Sequence, residues 1–282
     1  PSSANSLVGM KPTVGNVSRA GIVPISSTLD TAGPMTKFVI DNLLIYNAIN
    51  DFDPIDEYSV ENYDIKLESV IDNKTIKYRI GYYKSFYERD LLYKNSIDFL
   101  KEKGLDLIDI DAPEIRLEGF AKILDEDMRH DLRSYLFSHG NKNLEVEDIS
   151  SIIKYNELDS VERAPYGQGI FKKIIKDTMP INDFEDLKYE LMRKGNEFFN
   201  IPMDKFNLDV VLSINNYHAG YAAMAHNPCL TIPMKLRKNN EPAGLTIIGK
   251  SFEEQKLYEI GYFFEKSFKG RVPPKNWFTL PR

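Results

Sequence analysis

Polar and apolar residues alternate along residues 74–82, and this two-residue period predicts a half-buried strand. A helical period follows over about residues 88–103, and Gly104 ends it because glycine accepts the left-handed conformation common after a helix. Residues 105–110, LDLIDI, predict a second strand. Two strands joined through a helix predict a parallel βαβ unit, and such a sheet needs helices on its faces. The pattern therefore predicts a layered α/β fold.

Residues 1–36 form a run dense in Gly, Pro, Ser and Thr, a composition that is also typical of a flexible linker. Apolar residues recur in nearly every group of five, however, so we interpret the run as an ordered loop with a defined backbone path. The apolar spacing over residues 34–48 predicts a helix with one buried face, and Asp53-Pro54 breaks it.

Helical periods dominate the middle of the chain, near residues 116–139, 145–157, 167–177 and 183–200. The first of these carries a block of mixed charge, which is typical of a solvent-exposed helix face. The residues predicted to lie on that exposed face are Asp125, Glu126, Asp127, Arg129, His130, Asp131 and Arg133.

The last part of the chain returns to short apolar segments. Its pattern predicts a strand over residues 206–214 and a short helix over 219–226. Two further strands, at residues 230–234 and 245–248, precede an amphipathic helix over 252–268. The predicted order of helix, two strands and helix closes a sheet layer.

Two stretches carry a fixed spacing of Gly, Pro and charged residues. The closing stretch reads FNLDVVLSINNYHAGYAAMAHNPCLTIPM and, after a short gap, EPAGLTIIGKSFEEQKLYEIGYFFEKSFKGRVPP. The positions that stand out in the opening run are Pro1, Gly9, Lys11-Pro12-Thr13, Gly15, Val17-Ser18-Arg19, Gly21, Pro24, Leu29-Asp30 and Gly33-Pro34-Met35. Both stretches resemble the amidase signature family. The resemblance fades in the middle, where only Tyr155-Asn156 and residues 165–168 match one bacterial and fungal subgroup.

The resemblance implies the C-terminal part of the amidase signature fold, with a mixed sheet layered between helices and a helical middle. We predict one domain portion over residues 1–282. Residues 1–113 supply the core loop and βαβ part, 114–204 a helical insertion that determines specificity, and 205–282 the C-terminal core part. Family enzymes hydrolyse carboxamides with a Ser-Ser-Lys triad, and the resemblance places the nucleophile just before Pro1. We therefore expect no catalytic residue in this chain and no activity from it alone. Lys11 is expected to make a loop or surface contact.

The candidate site residues follow from the same resemblance. The family's Pro-Thr after the strand is replaced here by Ile214-Asn215-Asn216, in a loop that lines the acyl pocket of many relatives. Asn215, Asn216, Tyr217 and His218 are therefore candidate substrate contacts, although a polar loop satisfying its own backbone is an equal alternative. Asp30, Thr31, Gly33 and Pro34 are expected to lie near the site as scaffold. Asn16 stands where the family often has Arg.

Composition narrows the classes of protein. With 42% hydrophobic and 12% aromatic residues, the 282-residue chain can bury a sizeable core. A net charge of -6 argues against a nucleic-acid partner, and the lack of about 18 consecutive apolar residues argues against a membrane partner. The single cysteine excludes an intrachain disulfide and suits a cytoplasmic location, although a secreted protein without disulfides would have the same composition.

Neither a metal nor another cofactor is expected. His218 and His226 lack the i, i+4 spacing of a helical zinc pair, and no third ligand lies near them in sequence. Cys229 begins an apolar strand, so we expect a buried, inert thiol rather than a nucleophile.

Three functions stay open. The first is an amidase whose N-terminal half has been removed, the second is an amidotransferase A-type subunit, and the third is a natural non-catalytic remnant kept for binding. The third would leave apolar sheet edges such as residues 245–248 uncovered, and this predicts self-association.

Overall fold

The computed structural model describes residues 1–61, 64–73, 75–141, 143 and 145–274. Internal contacts divide the chain into two compact units. The first unit comprises residues 1–18, 31–116 and 194–282, and the second comprises residues 19–30 and 117–193. The predicted boundaries at residues 113 and 204 stay a prediction.

The described residues form a mixed sheet together with many helices, and the predicted α/β class is confirmed. The strands are β1 (Val8–Lys11), β2 (Met35–Thr36), β3 (Arg79–Tyr83), β4 (Asp106–Ile110), β5 (Val210–Ile214), β6 (Cys229–Leu236) and β7 (Pro242–Ile248). The helices are α1 (Val39–Ile49), α2 (Leu67–Ile71), α3 (Lys84–Arg89), α4 (Leu91–Glu102), α5 (Phe120–His139), α6 (Ile149–Glu157), α7 (Ser160–Arg163), α8 (Gly169–Lys176), α9 (Ile181–Phe206), α10 (Ala219–Met224) and α11 (Glu254–Phe268). A short 3₁₀ turn covers Ser3–Asn5.

The first unit is built on a mixed sheet whose described strands have the order β2-β1-β6-β7-β5-β3-β4. The predicted βαβ unit is present, since β3 and β4 pair in parallel with Ile80 opposite Leu107. Strand β7 pairs with β6 on one side and β5 on the other. The expectation that residues 245–248 form an uncovered edge is therefore wrong, and the argument for self-association through that edge fails with it.

The two faces of the sheet differ because side chains alternate along each strand. On β1, β5, β6 and β7 one set faces a continuous apolar core with α1, α2, α4 and α11, and its members include Val8, Leu212, Leu230 and Leu245. On the opposite face of the sheet, the side chains near β1 are small or polar. The side chains near β5 and β3 on that face are apolar, and the end of α9 and α10 pack against them. Only the apolar part of this second face is covered by those helices.

Several predicted boundaries shift. The helix predicted from Pro34 begins at Val39, because Met35–Thr36 pairs with β1 instead. The strand predicted over 74–82 covers Arg79–Tyr83, and Lys74 lies outside the described residues. The strand predicted from residue 206 begins at Val210, because α9 runs to Phe206. Asn207 then adopts a left-handed φ of 52°, and the Leu208 N–H closes the helix by donating to Met203 O at 2.8 Å.

The second unit has its own small core, made where α5, α6 and α8 bring together Leu132, Ile149, Ile153 and Ile174. Asp125, Glu126 and Asp127 of α5 are buried, so the prediction of an exposed charged face is wrong for these three. Each has a partner within the unit: Lys173 lies 2.7 Å from Asp125, Lys122 and Arg129 contact Glu126, and Ser26 bonds Asp127. His130 and Arg133 are exposed as predicted.

Measured over the described residues, every helix is too short or too polar to cross a lipid bilayer.

Candidate active-site cavity

A cavity of about 400 Å³ opens over the small and polar part of the second sheet face in the first unit. Its walls come from β1, β6 and β7, from the end of β5, and from the loops that follow β1 and β5. The lining residues are Pro1, Ser2, Ser3, Gly9, Met10, Lys11, Thr31, Gly33, Met35, Ser213, Asn215, Asn216, His218, Ala219, Cys229, Thr231, Thr246 and Ile248.

A row of hydroxyl groups crosses the cavity floor from β6 to β5. Thr231 Oγ1 and Thr246 Oγ1 lie 2.8 Å apart on paired positions, and Thr246 Oγ1 donates to Asn215 O at 2.6 Å. Ser213 stands opposite Thr246 on the next strand. Gly9 continues the row on β1, where it pairs with Thr231. A Cβ atom at Gly9 would lie 2.0 Å from Ser2 Oγ, so the absence of a side chain lets Ser2 reach the floor.

His218 is the best-defined polar side chain in the cavity wall. It is only 4% exposed, and its Nδ1 lies 2.9 Å from Ser213 Oγ. The ring packs between aromatic side chains, with centroid distances of 4.4 Å to Tyr83 and 5.0 Å to Phe198. Burial in this setting lowers the pKa of His218 to about 4, so the imidazole is neutral near pH 7.

The other three predicted contact residues differ in what their side chains do. Asn215 has a φ of 49°, and its Oδ1 accepts from the Gly244 N–H at 2.8 Å, so this side chain satisfies backbone as the alternative interpretation expects. Asn216 is exposed at the cavity, and its side chain has no hydrogen bond within the described part of the chain. Tyr217 is 70% exposed and lines a neighbouring recess with Arg89, Asp90 and Arg237.

The four predicted scaffold residues fall in both units. Thr31 and Gly33 line the cavity, and a Cβ atom at Gly33 would lie 1.9 Å from Met10 O. Pro34 O accepts from Met10 N at 3.2 Å and from Asn42 Nδ2 at 2.8 Å, which ties β1 to α1. Asp30 belongs to the second unit, where its carboxylate accepts from Ile25 N and Ser26 N and fixes a turn.

Lys11 and Cys229 stand opposite each other on β1 and β6. Lys11 lies at the end of β1 and is half-buried at the cavity, and its Nζ donates to Pro12 O in the loop that follows, so a loop contact is present as expected. Burial lowers the pKa of its ammonium group below the ordinary value, while Cys229 and Glu254 act in the opposite direction. Cys229 is buried as predicted, and burial raises the pKa of its thiol to about 11, which leaves it protonated and inert near pH 7.

Sequence reasoning missed Ser213, Thr231 and Thr246. A signal was available, because these residues occupy alternate positions on strands whose other positions are strongly apolar. The Ser213–His218 pair has the spacing of a nucleophile and its base, but a base with a pKa near 4 takes up protons poorly at neutral pH. The pair is better suited to orienting a bound polar group. In the described part of the chain, no three His, Cys, Asp or Glu side chains lie together as a metal site requires.

Comparison with known proteins gives consistent matches. The family model described as Amidase matches residues 1–214. Over 313 residues the chain is 29% identical to the A subunit of glutamyl-tRNA(Gln) amidotransferase from Caldanaerobacter subterraneus subsp. tengcongensis, with 98% of this chain and 62% of the relative covered. The chain thus spans about three fifths of the length of that curated relative.

Two solved structures share the fold of this chain and at least a quarter of its aligned residues. An amidase family protein from Bacillus anthracis superposes with a TM-score of 0.87 and 30% identity, covering 97% of this chain and 55% of that one. Native peptide amidase from Stenotrophomonas maltophilia superposes with a TM-score of 0.85 and 25% identity, covering 96% and 60%.

Proposed function

Because this chain belongs to the amidase family, we propose that it forms one wall of the active site of a hydrolase that cleaves a carboxamide C–N bond. The cavity carries this proposal, because Ser213, Asn216 and His218 present neutral hydrogen-bonding groups there. An amide offers one carbonyl acceptor and N–H donors, and such groups hold it without the cost of burying a charge. The neutral imidazole of His218 fits this task across the physiological pH range.

The bond-breaking groups are proposed to be a Ser-Ser-Lys triad at family positions that these 282 residues do not contain. The resemblance of residues 1–36 to the stretch that follows the nucleophile supports this assignment. In that mechanism the serine oxygen attacks the carbonyl carbon, and the lysine takes the serine proton through the bridging serine. The C–N bond then breaks, and the amine leaves with that proton. Water hydrolyses the acyl ester to the acid and regenerates serine.

The residues of this chain would bind and orient the substrate. We assign Asn216 and His218 to direct contact and Asn215 to holding the loop after β5 in place. Tyr217 would bound the neighbouring recess. Thr31, Gly33 and Pro34 would hold the loop after β1 at the cavity, and Asp30 would fix the turn before it. The polar groups along this wall would set which amide is accepted.

The proposal is tested by amide turnover. The purified 282-residue chain is expected not to hydrolyse a p-nitroanilide or a primary amide, since loss of the nucleophile removes about 10⁶ in kcat in triad enzymes. The longer protein that contains these residues together with the triad is expected to hydrolyse one. In that protein Asn216→Ala should raise KM more than it lowers kcat, whereas Asn239→Ala, outside the cavity, should change neither. Turnover by the isolated chain would refute the assignment of the triad.

A second candidate is an amidotransferase A-type subunit, because curated relatives are named as the A subunit of glutamyl-tRNA(Gln) amidotransferase. The fit to amidase structures, at TM-scores of 0.85 and 0.87, favours the first candidate. The two differ in what the longer protein requires. Hydrolysis of simple amides in the absence of any other protein supports the amidase, and ammonia release that needs glutamyl-tRNA and further subunits supports the amidotransferase.

We further propose that the protein is cytoplasmic and that its substrate is a small-molecule amide. Nucleic acids and membranes are not among its proposed partners. The single cysteine, buried and without a disulfide, supports this location because a reducing compartment keeps thiols free. Recovery of the protein from a non-cytoplasmic fraction of its native cells would contradict it.

A further inference from the structure

We propose that Lys11 is a cationic anchor for a carboxylate, so that the cavity takes ligands with a carboxylate at one end and an amide at the other. This names the substrate class of the proposed active site and in that respect rests on the proposed function. The carboxylate contact itself depends only on the residues of this chain. It is carried by the position of Lys11, by its hydrogen bonding and by the width of the cavity.

The hydrogen bonding of Lys11 is incomplete. Its Nζ donates to Pro12 O at 3.1 Å, and no carboxylate in the described part of the chain forms an ion pair with it. Glu254 lies within electrostatic reach, but its Oε1 accepts from Thr13 N at 2.8 Å and Asn16 Nδ2 at 2.9 Å. An ammonium group that is partly removed from water is stabilised by an anionic partner. A ligand carboxylate would supply that partner from the cavity side.

The surroundings of Nζ fit a carboxylate. Cys229 directly opposite is protonated and brings no competing charge near pH 7. Thr31 also lines the cavity, and its hydroxyl is buried without a hydrogen-bond partner among the described residues. A carboxylate oxygen can accept from both an ammonium and a hydroxyl, and charge-assisted bonds of this kind are the stronger ones.

The amide end of the ligand would lie at the opposite end of the same cavity, next to β5. From β1 the cavity floor crosses β6 and β7 to Ser213 on β5, which is three strand spacings of about 4.8 Å, or roughly 14 Å. His218 and Asn216 border that end. A linear ligand must cover this span less one hydrogen bond at each end. A six-methylene chain between carboxylate and carboxamide has a suitable length.

The probes are 8-amino-8-oxooctanoate and octanediamide, which differ only in one carboxylate against one carboxamide. Calorimetric titration of the 282-residue chain is expected to show the mono-acid binding at least about tenfold more tightly, because a bond to a charged group is worth more than a neutral one. Lys11→Met should abolish the preference and leave diamide binding unchanged. Lys77→Met removes an exposed lysine outside the cavity and should keep the preference.

Wild-type protein provides a second measurement should Lys11→Met not fold. Acylation of Lys11 by an N-hydroxysuccinimide ester, followed by mass spectrometry, is expected to slow severalfold with the mono-acid and not with the diamide. The mono-acid affinity should also fall as pH rises through the Lys11 pKa. The titratable groups that face Lys11 are Cys229 and Glu254, and His218 shares the cavity.

Equal affinities for the two probes, no binding of either, or a preference that survives in Lys11→Met would each overturn the proposal. Neither experiment measures turnover. Amide hydrolysis by the longer protein without an anion preference would refute the anchor and leave the proposed function intact. An anion preference without any hydrolysis by the longer protein would refute the proposed function and leave the anchor intact.

Discussion

Asn16 is fully buried in the first unit, at a position where members of the amidase signature family often have arginine. Its amide donates to Glu254 Oε1 at 2.9 Å and to the Tyr46 hydroxyl at 3.1 Å. Glu254 is itself buried and also accepts from the Thr13 N–H. A neutral donor therefore satisfies a carboxylate that an arginine would pair by charge.

Replacing Asn16 by Ala is expected to lower the free energy of unfolding by about 1–3 kcal/mol, because the buried Glu254 carboxylate loses a donor. Urea unfolding measures the change. Asn216→Ala is the matched control, since Asn216 is exposed, and it should stay within about 0.5 kcal/mol of wild type. An equal loss in the two variants would show that Asn16 does not satisfy the carboxylate.

His218 gives the protein an acid-sensitive residue. Its pKa in the fold is about 4, below the ordinary 6.5, so the unfolded chain binds the proton first as pH falls. The stability that depends on neutral His218 is fully present above pH 6.5, and it is lost as pH falls toward 4. Between those limits the loss amounts to about 3 kcal/mol.

The stability difference between wild type and His218→Phe should therefore shrink as pH is lowered from 6.5 to 4. Thermal or urea unfolding at a series of pH values measures it. His130→Gln, at an exposed position of the second unit, should show no such trend relative to wild type. A difference that is constant with pH would contradict the buried neutral imidazole.

At the scale of elements, α1 and α11 are joined by a side chain that caps a helix. Both carboxylate oxygens of Glu265 on α11 accept from the Val39 N–H at the start of α1, at 3.0 and 3.1 Å. Burial raises the pKa of Glu265 to about 7, above the ordinary 4.5. The sequence predicts α11 well but not this contact, because it joins residues 226 positions apart.

The raised pKa of Glu265 predicts a stability trend opposite to that of His218. A raised folded pKa gives a contribution that is fully present below pH 4.5 and is lost as pH rises through 7. The stability of wild type relative to Glu265→Gln should thus fall by about 1–2 kcal/mol over that range, as measured by urea unfolding, because solvent screens the partly exposed carboxyl group. The exposed Glu57→Gln serves as control and should leave the trend of wild type unchanged.

Local periodicity located most of the elements, and it failed where tertiary contacts decide. The β3–α4–β4 pattern and α11 follow from their apolar spacing. The start of α1 and the end of α9 do not, because strand pairing at Met35 and a left-handed Asn207 set them. In the candidate site, the family resemblance pointed to the loop after β5. The row of hydroxyl groups could be recognised only from the register of the paired strands.

At the scale of the whole molecule, strand order is the property that the sequence did not yield. The hypothesis of a non-catalytic remnant predicts an uncovered edge at residues 245–248, yet long-range pairing puts β7 inside the sheet. The charged block of α5 likewise looks exposed until Lys173 and Ser26 are brought to it from other segments of the second unit. Both errors concern partners that are distant in sequence.

Since each unit has its own core, a substitution that destabilises one unit should change hydrogen exchange mainly within that unit. Glu126 is 1% exposed and contacts Lys122 and Arg129 in the second unit. Glu126→Gln is expected to cost about 1–3 kcal/mol of local stability. Hydrogen exchange with mass spectrometry should show faster exchange in α5 and α8 and little change in β5 and β7. The exposed Glu145→Gln should alter neither set, and uniform loss across both would contradict a separate core.

The pairing of β1 with β6 also governs how the protein is made. Gly9 of β1 is synthesised 222 residues before its partner Thr231 on β6. At 5–20 residues per second the wait is roughly 10–45 s. During that time the apolar side chains of Val8 and Met10 have no sheet to join. The nascent chain therefore exposes an apolar segment to chaperones during that interval, and β1 cannot pair with β6 until the interval is over.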